Sequence, residues 1–124
     1  MPSQIRIKRI SDRFKQELSE MILLEIQDPR LSTVSITDVK VDRELAYADI
    51  YVSAIEGQQI SKEVLEGLEH AKSFISRLLA ARVNLRIFPR LRFHWDPTPE
   101  NADHIERLFS LLREEKKSND ENTE

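Results

Sequence analysis

The chain has 124 residues, 40% hydrophobic and 33% charged, with a formal net charge of −3 and no cysteine. That length predicts a single domain able to bury roughly two thirds of its unfolded surface, and without cysteine it holds neither disulfides nor thiolate metal sites, as fits a reducing compartment. No apolar run approaches the roughly eighteen residues of a membrane span and MPSQIRIKR lacks the apolar stretch of a signal peptide, so the expectation is a soluble, cytoplasmic protein with no membrane partner.

The first element is a helix from Gln4 to Gln27, because Ile7, Ile10, Phe14, Leu18, Met21 and Ile22 recur at three- and four-residue spacing. At 100° per residue Arg6, Arg9 and Arg13 fall on one flank of that stripe and Lys8 and Lys15 on the other. The segment MILLEI is apolar on most sides, which predicts deep burial. Asp28-Pro29 stops the helix, since the residue before proline is pushed out of the helical region.

A strand pair follows. Val34 and Ile36 have one parity and Val39 and Val41 the other, which predicts a bulge near Thr37-Asp38. Asp42-Arg43-Glu44 makes the turn, and the second strand alternates: Ala46, Ala48, Ile50, Val52 and Ala54 inward, Tyr47, Asp49, Tyr51 and Ser53 outward. The tyrosines could stack on bases, but Asp49 between them repels phosphate, so packing or solvent exposure is the expected role.

A helix from Ser61 to Ala81 buries Val64, Leu68, Ala71, Ile75, Leu78 and Leu79. If it ran straight, Arg82 would land in the apolar face, so a bend or end is expected before it, near Ala71-Lys72-Ser73, where a serine bonding its own backbone relaxes the ladder. From Val83 to Asp96 the chain alternates again, with Val83, Leu85, Ile87, Leu91, Phe93 and Trp95 inward and Arg86, Arg90, Arg92 and His94 outward, divided by Pro89, which cannot donate to a ladder. Thr98 caps a last helix with Pro99 at its first position, using Ala102, Ile105, Leu108, Phe109 and Leu112. The domain is read as 1–115, followed by a disordered polar tail over 116–124.

Charge is segregated along these elements. Residues 1–16 carry five basic and one acidic side chain and residues 72–95 six basic and none acidic, whereas 17–71 has twelve acids against four bases. Such local fields act over roughly 8 Å at physiological salt and attract a polyanion despite the acidic total.

Helix, strand, strand, bent helix, strand and helix, with an antiparallel hairpin and a helical crossover to a parallel third strand, give an α+β fold: a three-stranded mixed sheet with helices on one face. This is the type II KH topology, a nucleic-acid-binding fold. DPRL at 28–31, VKVDRELAYADIYVS at 39–53, LEHAKSFISRLLA and LRIFPRLRFHWD at 85–96 resemble the ribosome-binding factor A family, and the resemblance covers nearly all the chain up to the tail. It implies a bacterial-type cytosolic assembly factor that binds the free 30S ribosomal subunit and supports maturation of the 5′ end of 16S rRNA. It also implies that an Ala-x-Gly kink replaces the KH Gly-x-x-Gly loop; here Ala71-Lys72-Ser73 stands in that place.

With only Gly57 and Gly67 available, close backbone approach to phosphates is not the binding device, and RNA contact falls to side-chain charge. The candidates are Arg6, Lys8, Arg9, Arg13, Lys72, Arg77, Arg82, Arg86, Arg90 and Arg92, each weighed against a partnerless surface charge. Arg86 is the one most exposed to a different fate, an ion pair with an acid of a neighbouring strand. A second reading is a protein-protein adaptor using the open sheet face with Tyr47, Tyr51 and Phe88 as anchors. An enzyme is disfavoured: there is no Gly-rich phosphate loop and no nucleophile motif, and His94, Asp96 and His104 fit ordinary histidine roles better than a metal site, so neither metal nor cofactor is expected. Ribosomal proteins or other assembly factors are possible further partners of a monomer.

Overall fold

The structure is a computed structural model and describes residues 3–99 and 110–113. Helix α1 spans Gln4–Leu24, and Ser3 caps it by accepting a hydrogen bond from the Arg6 N–H at 3.2 Å. The helix ends three residues before the expected Gln27, because the Met21 carbonyl accepts from both Glu25 and Ile26 and the turn closes there. Asp28 then accepts from the Arg30 N–H to start a short 3-10 turn, Pro29–Leu31. The expected deep burial of MILLEI is corrected: Met21 and Ile22 are buried, but Leu23 and Leu24 are 80% and 74% exposed. A helix laid on one sheet face buries one stripe, and each further residue turns 100° toward solvent.

Strands β1 (Val34–Val41) and β2 (Tyr47–Ala54) are antiparallel, with the expected bulge between Ile36 and Asp38. The hairpin turn reaches further than Asp42-Arg43-Glu44. Leu45 adopts φ 57°, and its N–H donates to the Asp42 carbonyl while the Asp42 carboxylate accepts from Ala46. The left-handed conformation costs a leucine about 1 kcal/mol or more, which burial of its side chain offsets at roughly 1.5–3 kcal/mol. Leu45 thus takes the inward place expected of Ala46, which is exposed and outside the strand.

Helix α2 runs as one α-helix over Ser61–Arg82, so any bend at Ala71 and Ser73 leaves it unbroken. Arg82 needs no escape from the apolar face, because Glu17 of α1 and Glu25 just after it reach it. Strand β3 is shorter than expected, Arg90–Trp95, and pairs parallel to β2 from Tyr47↔Arg90 to Val52↔Trp95, which makes the sheet order β1-β2-β3. Residues 83–89 form an irregular connection. Pro89 has no N–H to pair, and the Arg90 N–H makes the first bond, to the Ala46 carbonyl at 2.9 Å.

The core lies between the two helices and the inner sheet face. Phe14 and Leu18 of α1, Ala48, Ile50 and Val52 of β2, and Val64, Leu68, Ile75 and Leu79 of α2 are fully buried. Gly67 permits α2 to approach the 3-10 turn, since a Cβ there would stand 3.2 Å from Leu31. After β3, the Asp96 carboxylate accepts from the Thr98 N–H, and the N–H groups that a Thr98 cap would engage lie outside the described residues. The last helix as expected from Ala102 to Phe109, and the tail, lie outside the described residues; Leu111 and Leu112 are described and are exposed.

Candidate nucleic-acid interface

The packing that closes the core also brings separate basic segments to one end of the molecule. The Ser11 hydroxyl accepts from the Val41 N–H, which seats the N-terminal half of α1 over the end of β1 and beside the hairpin turn. Phe88 stacks on Phe14 at 5.5 Å, which fastens the 83–89 connection to the other flank of α1. Arg6, Lys8 and Arg9 of α1, Arg86 of the connection and Arg90 at the start of β3 therefore share the end marked by the turn, and all five are exposed. Arg43 in the turn joins them, facing the same cleft as Lys8. The acids Asp28, Glu63 and Glu66 collect around Arg30 where α2 begins, toward the other end of the fold. Basic side chains thus outnumber the acids Asp12, Asp38, Asp42 and Glu44 at the turn end, while acids gather where α2 begins.

The ten candidates divide by whether the fold already uses their charge. Arg13 bonds Glu17 at 3.1 Å and the Arg82 carbonyl at 3.3 Å, and Arg82 in turn pairs with Glu17 and Glu25. Lys72 pairs with Glu69 at 2.9 Å and lies 5.8 Å from the Phe93 ring centre. Arg92 grips Asp49 with two bonds of 2.8 and 3.0 Å, its guanidinium 4.0 Å from the centre of the Tyr47 ring. These four are internal ties. Arg6, Lys8, Arg9, Arg77, Arg86 and Arg90 have no ion pair among the described residues, and Arg77 is the one of the six carried by α2. The strand ion pair expected of Arg86 is made by Arg92, because the parallel register sets Arg92, and not Arg86, beside Asp49.

Asp49 is the hub of the open sheet face. His94 Nε2 lies 2.7 Å from the same Oδ1 that Arg92 Nε reaches, the His94 ring stacks on Tyr51 at 5.1 Å, and Lys40 sits 5.4 Å from the Tyr51 centre. The Arg92 hydrogen bonds, helped by His94 against the effect of burial, hold the Asp49 carboxyl below the usual carboxylate range. A depressed folded value means stability that is complete above the unfolded value near 3.9 and lost as pH falls through the folded one. Asp49→Asn is expected to lower the urea midpoint at pH 7 and to flatten part of the loss of stability expected on acidification below about pH 5, to which Asp28 and Asp96, whose carboxyls are held low by Arg30 and Thr37, also contribute. An unchanged acid limb in that variant would refute the assignment.

The same geometry corrects the adaptor reading in one respect. Phe88 does not join Tyr47 and Tyr51 on the open face but packs inward on Phe14. Among the described residues no three His, Cys, Asp or Glu side chains are placed to hold a metal ion. His94 is bonded to Asp49 and Asp96 to Thr37, and His104 lies outside the described residues. No helix among the described residues is long and apolar enough to cross a membrane.

Exposed, partnerless cations on a rigid frame can neutralise phosphates without distorting the fold. One of them, Arg43, lies in the acidic middle of the chain, and only the antiparallel hairpin carries it to the end where α1 begins.

The family model for ribosome-binding factor A matches residues 6–109. The ribosome-binding factor A of Alcanivorax borkumensis is 39% identical over 111 residues, 89% of this chain and 81% of that one. The crystal structure of ribosome-binding factor A from Thermus thermophilus superposes with a TM-score of 0.64 at 27% identity, covering 72% of this chain and 93% of that one. A homology model of the Thermus protein fitted into a cryo-electron microscopy map of its complex with the 30S subunit gives 0.55 at 28% identity, covering 67% and 87%. With the family model matching residues 6–109 and a relative 39% identical over 89% of the chain, this protein belongs to the ribosome-binding factor A family.

Proposed function

We propose that this chain binds the free 30S ribosomal subunit through its cationic end and, by holding 16S rRNA there, supports late maturation and processing of the RNA at its 5′ end. The observation that carries the reading is the cluster of Arg6, Lys8, Arg9, Arg43, Arg86 and Arg90, drawn from four separate segments and left without ion-pair partners among the described residues. Phosphates of a folded RNA meet such a surface with no need for the Gly-x-x-Gly backbone device. The Thermus relative in its 30S complex supports the choice of partner.

The action is non-catalytic: the protein shapes RNA for nucleases instead of cutting it. It acts as a cytoplasmic monomer, and ribosomal proteins or other assembly factors share the site. Sedimentation of a cell extract tests this, with the protein expected to travel with free small subunits and to be absent from translating ribosomes. Equal distribution between the two would contradict an assembly role.

A further inference from the structure

The cationic end is not uniformly suited to phosphate. Between the first turns of α1 and the end of β1 lies an open cleft of about 370 Å³, within the range of small-ligand sites. Ile7 and Val41 give it an apolar wall, Lys8 and Arg43 supply positive charge, and Asp12 and Asp38 face the same space. Carboxylates beside these cations are misplaced for a site that only neutralises phosphate, since each repels what its neighbours attract. They suit a nucleoside, whose base offers N–H donors while its phosphates remain outside.

The two acids are not equivalent. Asp38 already accepts from the Val39 N–H at 2.9 Å, whereas Asp12 is exposed with no hydrogen bond among the described residues. A free carboxylate accepts two parallel hydrogen bonds, and the base edge with two adjacent donors is that of guanine, through N1–H and the exocyclic amine. Paired guanine hides that edge. RNA is read in sequence mainly at unpaired positions where such edges are available.

We propose that this cleft receives one unpaired guanine nucleotide of the bound RNA, with Asp12 accepting from the base, Ile7 and Val41 against its face, and Lys8 and Arg43 holding the flanking phosphates. The assignment rests on the RNA-binding reading above. It adds a preference for a base to a surface otherwise indifferent to sequence.

The full chain is titrated, by fluorescence anisotropy at 0.15 M salt, against a fully paired RNA stem, the same stem with one bulged guanine, and the same stem with one bulged adenine. The bulged-guanine stem is expected to bind about tenfold more tightly than the other two, the lower end of what one bidentate base contact supplies. Asp12→Asn, at an exposed position, is expected to abolish the preference for guanine while leaving the paired stem bound at least as well. Equal binding of all three stems by the wild-type protein, or a guanine preference that survives Asp12→Asn, overturns the cleft assignment while leaving the phosphate-binding reading intact. Failure to bind any stem overturns both.

Discussion

Replacing Arg6, Arg9, Arg86 and Arg90 together with alanine is expected to weaken binding to small subunits by roughly 10²- to 10³-fold at 0.15 M salt, with little change in folding stability. Each phosphate neutralised contributes about 0.7 to 0.9 to the slope of log affinity against log salt, so four lost contacts remove about three units of slope and, extrapolated from a 1 M reference, two to three orders of magnitude at 0.15 M. None of the four is ion-paired among the described residues, and all are exposed, so their removal leaves no buried acid behind. Arg82→Ala is the control with the opposite signature. It strips Glu17 and Glu25 of their shared partner, lowers the melting temperature, and changes affinity far less than Arg86→Ala. If Arg82→Ala impaired binding as strongly as the fourfold variant while staying folded, the division into internal ties and free cations would be wrong.

Phe14→Ala is expected to cost about 3–5 kcal/mol, the usual penalty for emptying a fully buried aromatic site. The ring is 0% exposed and lies against Phe88 with an interplanar angle of 26°. Against a total stability of about 5–15 kcal/mol, such a loss lowers the thermal midpoint by roughly 15 °C or more. Phe14 also links stability to binding, because its contact with Phe88 anchors the connection that carries Arg86. Phe88→Ala, at a half-buried position, is expected to cost less stability and still reduce affinity by freeing that connection. Thermal unfolding followed by circular dichroism, with anisotropy titration of the folded variants, separates the two effects.

The order of elements, the bulge near Thr37, the inward set Ala48, Ile50 and Val52, and the stripe of α1 were legible from period and turn chemistry alone. The region 83–96 shows where that reading stops. Alternation is indifferent to whether the backbone is hydrogen-bonded, so it placed Phe88 outward and Ile87 inward; in the structure Phe88 packs on Phe14 and Ile87 is 60% exposed. Leu23 and Leu24 are exposed for a related reason: the apolar content of a helix segment does not say how wide a face its neighbours cover.

The division of the ten basic candidates was out of reach. Arg92 meets Asp49 only through the parallel register of β2 and β3, and Arg82 meets Glu17 and Glu25 across 65 and 57 residues. Arg43 was hidden differently, by averaging it with the acids around it. Local charge density along a chain is a poor guide when a hairpin folds one segment back onto another.

Binding through the basic cluster is electrostatic, and the salt dependence of binding between wild-type protein and purified small subunits tests that most directly. With five or six cations engaged, log affinity is predicted to fall against log salt with a slope of about −4 to −5. Affinity that stays flat from 50 to about 200 mM salt, the window over which such contacts lose orders of magnitude, would contradict it and point to an apolar, protein-mediated contact in its place.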